Sequence, residues 1–251
     1  MSNFFQNFPL VNYNFGTETT TALFQDISAY IKVIDDIKDD IAFYTTVHIQ
    51  DYDRPDNFSF KLYGTTEFYW TFYYLNDDIR ESGWPLPQQD LLPKAKKDYP
   101  NIVVETTGDI SKSFLPGHVA KSATTQGIVK KRYLDLGQIV IAAPVNFNIE
   151  EGLLPLVNGE QIGSDQIAIK KSVEQYNSVH HYEDASKNYV DIGLVPSGNG
   201  DAAAYPSLSG KTPITYFDRI LAKNDSLREI KCLKPDVAVQ VKSEFNKLLR
   251  G

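Results

Sequence analysis

Between Gly64 and Asn76 the sequence reads TTEFYWTFYYL, a helix-length segment with apolar or aromatic side chains on nearly every side. Thr65 or Thr66, followed by Glu67, supplies its start. Phe68, Tyr69, Phe72, Tyr73 and Leu75, joined by Trp70 and Tyr74, then cover most of the circumference. A helix that is apolar all round must be buried on more than one side, so this segment obliges the rest of the chain to wrap it. One wall is provided immediately upstream. Phe58, Phe60, Leu62 and Tyr63 predict a short helix that Gly64 ends at a C-capping position. Before it, AFYTTVHIQDY (42–52) is β-branched and aromatic and predicts a strand, which Pro55 stops. After it, GWPLP (83–87) predicts a rigid turn.

The flanking regions read more simply. Residues 1–19 predict an extended arm, with Pro9 and Gly16 bracketing the alternating run LVNYNF. From Thr20 a helix is predicted, because Leu23, Phe24, Ile27, Tyr30, Ile31, Ile34, Ile37 and Ile41 recur at three- and four-residue steps. Its stripe is heptad-like for fewer than three repeats, so it suits either the protein's own core or a bundle with another chain. PQQDLLPKAKKDYP predicts a helical piece broken by Pro93, and NIVVET a strand. Glycines at 117, 127, 137, 152, 159 and 163 punctuate short β-like runs, which predicts a small all-β insert, followed by the flexible stretch VPSGNGDAAAYPSLSG. Thr212-Pro213 predicts the opening of a helix with Ile214, Phe217, Ile220 and Leu221 inward. SLREIKCL then predicts a strand burying Ile230 and Cys232. Pro235 opens a last helix carrying Val237, Val241, Phe245, Leu248 and Leu249 on one face. The expected class is α+β, divided as arm 1–19, helix plus aromatic module 20–110, β-rich insert and loop 111–206, and C-terminal helix–strand–helix 207–251.

The sequence carries no motif of reactive chemistry. The net charge of −7 argues against a nucleic-acid partner, because such a partner calls for a basic face. A single cysteine, Cys232, rules out an intrachain disulfide and a thiol-rich metal site, and fits a reducing compartment. In VHHYED (179–184) the two histidines of a regular strand point to opposite faces, so no shared metal is expected, and a surface hairpin is the reading. His48 and His118 lack a serine or cysteine elbow, and SGNGD (197–201) lacks the Lys-Ser/Thr of a phosphate loop. No apolar run is long enough to span a bilayer, and the first residues lack the pattern of a signal peptide, so a soluble protein made in the cytoplasm is expected.

The stretch DRPDNFSFKLYGTTEFYWTFYYLNDDIRESGWPL resembles the baseplate wedge proteins of contractile-tailed phages. The matching positions are Asp53, Arg54, Pro55, Leu62, Tyr63, Gly64, Tyr69, Trp70, Asn76, Gly83, Trp84 and Pro85. Phe60 departs from the pattern, standing near a position where the family has a small residue. The family segment in turn resembles a LysM domain, two short helices against a two-stranded sheet, with the asparagine ending the second helix. Towards the C-terminus, Asn224, Arg228, Ile230 and Lys231 resemble a second recurring core of the family.

The resemblance implies a structural protein of the virion tail baseplate, without catalysis, cofactor or metal. It joins neighbouring wedges to one another around the central hub in six copies, beside the wedge scaffold and the sheath initiator. Nucleic acid and membrane are not among the implied partners. A LysM-type binder of peptidoglycan or another glycan is the alternative, using the junction Tyr63-Gly64-Thr65-Thr66, and a tail-associated wall hydrolase is a third reading. The candidate core and interface residues are Arg54, Pro55, Tyr63, Gly64, Tyr69, Trp70, Phe72, Tyr74, Asn76 and Trp84. Of these, Trp70, Tyr63 and Phe72 are predicted to form the module's core, and Tyr74 and Trp84, with the N-terminal helix, to face partners.

Overall fold

The computed structural model describes residues 10–14, 21–25, 42–106, 110, 114–121, 126–142, 152–158, 161–192 and 208–250. The fold is α+β. In chain order its elements are β1 (Leu10–Asn14), β2 (Thr21–Gln25), β3 (Tyr44–His48), α1 (Pro55–Tyr63), α2 (Tyr69–Leu75), α3 (Asp77–Ser82), α4 (Gln88–Asp98) and β4 (Ile102–Thr106). There follow β5 (Val119–Lys121), β6 (Gln126–Tyr133), β7 (Gln138–Ala142), β8 (Gly152–Asn158), β9 (Gln161–Glu174), β10 (Val179–Glu183) and β11 (Tyr189–Val190). The last are β12 (Thr212–Thr215), α5 (Tyr216–Ser226), β13 (Glu229–Leu233) and α6 (Pro235–Arg250). The chain divides into two compact units, residues 1–88 with 223–251, and residues 89–222.

In the first unit, α1 and α2 form where the residue pattern places them. Pro55 stands at the first turn of α1, where its missing N–H costs nothing. Gly64 ends the helix at φ 71°, a left-handed conformation that a side chain would strain. Thr65 caps a 3-10 turn (Thr66–Phe68) by accepting from the Glu67 N–H, and α2 follows directly. The sheet beside them is β3 paired antiparallel with β13, Tyr44 opposite Leu233 and His48 opposite Glu229. Strands more than 180 residues apart in sequence thus form one sheet, and a chain that closes so large a loop must recover the entropy by packing. Two apolar clusters supply that packing. Phe58, Phe72, Ile49, Ile79, Leu227, Ile230 and Cys232 make one; Phe68, Trp70, Leu75, Leu233, Ala238 and Val241 make the other. The two faces of α2 go to different clusters, as an all-apolar helix requires.

The second unit holds an all-antiparallel closed barrel in the order β4-β7-β6-β5-β8-β9. Closure removes the exposed edges that a small sheet would otherwise present. Val104, Ile110, Phe114, Ala120, Val129, Ile139 and Ile141 are buried together at its centre. The unit also contains a three-stranded sheet, β11-β10-β12. Its β-rich part takes in β4, ahead of residue 111.

Several expectations are corrected. Residues 21–25 are a strand, not the start of a helix. They pair with β1, Leu10 opposite Gln25 and Asn14 opposite Thr21. The run TALFQ carries neither a clear helical stripe nor an alternation, and pairing with β1 decides it; the rest of that predicted helix, 26–41, lies outside the described residues. Pro93 does not break α4, which runs through it. Proline gives up its own N–H there, and Leu91 and Ala95 anchor the helix from its buried side. Thr212 and Pro213 lie in β12, so Ile214 is a strand residue, and α5 starts at Tyr216. Its start is fixed by a reciprocal cap in which the Asp218 N–H donates to Thr215 Oγ1 at 3.1 Å and the Thr215 N–H to Asp218 Oδ2 at 2.9 Å. The helix α3 was not expected from the sequence.

Candidate assembly site

The aromatic module of the first unit is built around Phe72, which is completely buried. Its ring lies 5.4 Å from Phe58 and 5.8 Å from Trp84, centroid to centroid, and stacks on Tyr63 at 6.1 Å and 20°. Tyr63 meets Phe68 edge-on at 5.2 Å and donates its hydroxyl to the Leu233 carbonyl at 3.0 Å. Burial, the main cause, pushes the Tyr63 phenol well above its ordinary range. Burial likewise pushes the Cys232 thiol up to about 12, so it behaves as a small apolar core group. Trp84, expected to face partners, belongs to this core. Its ring also contacts Phe58 at 5.9 Å and Tyr73 at 6.0 Å, and its indole N–H donates to the Asp53 carbonyl at 2.6 Å.

Trp70 is buried in the second cluster, and half-buried Tyr74 packs against it, while Tyr69 touches both clusters. Arg54 and Pro55 sit at the start of α1. The Arg54 side chain is exposed and pairs with Asp56 at 3.3 Å, so it contributes little to stability. Phe60, the departure from the family pattern, points away from the core and is 60% exposed.

A clasp of side chains joins this module to residues 224–233. Asn76 ends α2, and its Nδ2 donates to the carbonyls of Phe72 and Lys231, both at 2.8 Å. Its Oδ1 accepts from the Lys231 N–H at 2.8 Å, so one amide completes both the helix end and the strand edge. Asn224 does the same for the turn, accepting from the Leu86 N–H at 2.7 Å and donating to the Leu86 carbonyl at 3.1 Å. Arg228, nearly buried, donates to the carbonyls of Leu86 at 3.0 Å and Ile49 at 3.3 Å, and pairs with Asp51. Asn224 and Arg228 were absent from the candidate residues. Only the family resemblance marks them in the sequence, because Lys223, Asp225, Ser226 and Glu229 beside them are equally polar, and the topology alone reveals the backbone groups they serve.

Ser59 ties the helix junction together from within. Ser59 Oγ donates to the Thr65 carbonyl at 2.8 Å and accepts from the Phe68 N–H at 3.2 Å. The surface of the unit instead offers the β1–β2 hairpin, on which Leu10, Val11, Tyr13, Leu23 and Phe24 are all exposed. Among the described residues no group of three or more His, Cys, Asp or Glu side chains could hold a metal, and no helix is long and apolar enough to cross a membrane.

Residues 5–107 match the family of base plate wedge protein 53. This segment is similar to the base plate wedge proteins. The match takes in the hairpin and the whole aromatic run from Asp53 to Pro85, and the family is one of structural proteins of the phage tail baseplate. The clasp residues 224–233 lie outside the matched wedge segment, yet they fill its core. No curated protein matches the chain.

In the second unit the two histidines depart from the expected geometry. A bulge between Val179 and His181 breaks the alternation of β10, and the rings meet edge-on with Nδ1 to Nδ1 at 3.0 Å. Arg219 donates to His180 Nε2 at 2.5 Å, which leaves the His180 Nδ1–H to donate to His181, whose Nε2–H faces Glu183 Oε1 at 3.2 Å. The surface hairpin itself is present, as β10 paired with β11.

Proposed function

We propose that this chain is a wedge-joining subunit of a contractile phage tail. It would hold neighbouring wedges to one another and around the central hub, in six copies, beside the wedge scaffold and the sheath initiator, and without catalysis. The observation that carries this reading is the family match across residues 5–107. Two features of the molecule support it. The module spends its aromatic rings and polar caps on its own rigidity, as a connector under load requires. The exposed apolar hairpin gives it a surface that gains from being covered.

Cross-linking mass spectrometry on purified virions tests the reading. The expected result is cross-links from this chain to at least two different baseplate proteins, with links from 10–25 among them. Absence of the chain from virions, or links confined to itself, would overturn it. In the same reading, titration with chitin or muropeptide oligomers gives no heat, because the Tyr63 hydroxyl and the Thr65 carbonyl of the junction Tyr63-Gly64-Thr65-Thr66 are already bonded within the module.

A further inference from the structure

The second unit contains a cavity of about 150 Å³ lined by Glu105, Thr106, Asp135, Leu136, Gln138, Val179, Tyr182, Ile192 and Leu208. Glu105 and Gln138 face each other directly across β4 and β7, so their side chains rise from the same face of the sheet. Both residues are more than nine-tenths buried, and each has one oxygen, Oε1, with no hydrogen-bond donor among the described residues. Native proteins rarely bury acceptors in this state without an occupant. The other polar groups do not relieve them. Gln138 Nε2 is committed to the Val179 carbonyl at 3.0 Å, and the Thr106 hydroxyl to the Gly137 carbonyl at 2.9 Å. Lys171 stands 3.4 Å from the other Glu105 oxygen and is half exposed, and among the described residues it is the one cation paired with Glu105, against the carboxylates of Glu105 and Asp135.

We propose that this cavity is a binding site for an alkylammonium group, a protonated primary amine on an aliphatic stem. The amine end supplies donors and a positive charge to a wall of acceptors carrying excess negative charge. Leu136, Val179, Ile192 and Leu208 form an apolar sleeve of the kind that packs the stem of a lysine. A water would satisfy the two oxygens but leave the charge unbalanced. A hard divalent cation calls for six or more oxygen ligands, and the side chains of the cavity offer two carboxylates, an amide and two hydroxyls, of which the Thr106 hydroxyl is already committed. The amine could arrive as a small molecule or as the lysine of a neighbouring protein.

Isothermal titration of the full chain with n-butylamine and with Nα-acetyl-lysine methylamide tests the site. Saturable binding is expected for both, weakened roughly ten- to a hundredfold in Glu105→Gln and in Asp135→Asn, which remove a charge and keep the shape. Butan-1-ol, with the same stem and no charge, is expected not to bind, and that comparison needs no variant. No saturable amine binding, equal binding of butanol, calcium binding in place of amines, or amine binding unchanged in both variants would each overturn the proposal. Carbodiimide coupling in purified tails separates the sources. An Asp135 cross-link to another protein's lysine identifies a subunit contact, and amine binding without such a link assigns the site to a small amine.

Discussion

In the barrel unit the backbone does the closing, and in the aromatic unit side chains do it. Six strands of the barrel each find two hydrogen-bonded neighbours, and a mainly aliphatic filling of Val, Ile and Ala around Phe114 completes the interior. The aromatic unit has one pair of strands in its core, with three helices of six to nine residues and the longer α6 around them. Short elements leave many orphan carbonyls and N–H groups, and the long reach of Asn76, Asn224, Arg228, Trp84 and Tyr63 satisfies them. The two designs fail differently. A barrel with a redundant ladder tolerates loss of any one polar side chain but feels a change in core volume. A clasped module depends on individual polar atoms as much as on its rings.

The largest effects are expected where the rings are deepest. Phe72→Ala and Trp70→Ala should each cost about 3–5 kcal/mol, through lost transfer energy and the cavity left behind. Hydrogen exchange read by mass spectrometry should show 42–88 and 223–243 opening, while 102–142 stays protected. Simultaneous loss of protection in the barrel would show that the two designs are one cooperative structure. A Trp70→Ala protein that stays folded and only fails to assemble would reverse the assignment of that ring to the core.

Asn76→Ala probes the clasp without touching a ring. It strands the Lys231 N–H and carbonyl beside the end of α2, for a cost of about 2–3 kcal/mol. Asn76→Asp should be nearly as damaging, because a carboxylate keeps the acceptor for the Lys231 N–H but faces two carbonyls in place of the amide donor. Thermal melts followed by tryptophan fluorescence report this unit directly, since Trp70 and Trp84 both lie in it. A loss below half a kcal/mol would mean that the backbone of β13 holds itself.

Much of the aromatic unit was legible beforehand, because its signals are local. Pro55, Gly64 and Thr65 punctuate the helices at the right places, and a segment apolar all round could only lie between two cores. The partners of Asn76 were not legible. They are carbonyl and amide groups 155 residues away, and backbone groups carry no residue-type signal. Trp84 looked like an interface residue because a Gly-Trp-Pro turn reads as exposed, and the turn instead folds the indole back onto Phe58 and Phe72. Residues 21–25 misled for the opposite reason: their apolar spacing marks neither a helix nor a strand, and only pairing with β1 decides. The histidine pair failed on a bulge, a one-residue irregularity that reverses side-chain direction and leaves no trace in the sequence.

Ile141→Val is the matching test on the barrel side. Ile141 is wholly buried beside Val104 and Val129, and removing one methyl group should cost about 1 kcal/mol. Exchange should quicken in 102–142 and leave Phe72, Trp70 and their neighbours unaffected. An effect of the same size from replacing an exposed barrel residue such as Ile128 would mean that the interior is loosely packed and that closure, not volume, sets its stability.

The smallest expected effect separates the units by acid. His180 is held neutral, its acidity shifted down from 6.5 to about 4, first by burial and then by the charges of Arg219 and His181, with Asp135 pulling the other way. Between those two values the unfolded chain takes up a proton that the folded chain refuses, so stability is complete above pH 6.5 and falls as the pH drops towards 4. His180 is only partly buried, so solvent screening keeps the change below about 1 kcal/mol. Its geometry nonetheless makes the direction firm. A protonated His180 would present N–H groups to both Arg219 and His181, two neighbours of which one is a cation and the other already donates to Glu183. Exchange in 175–192 and 212–222, corrected for the intrinsic rate, should therefore rise between pH 6.5 and 4.5 more than in 55–76, where no histidine stands. His180→Gln should flatten that difference. If the slope survives the substitution, the acid sensitivity belongs to the surrounding carboxylates and not to the histidine chain.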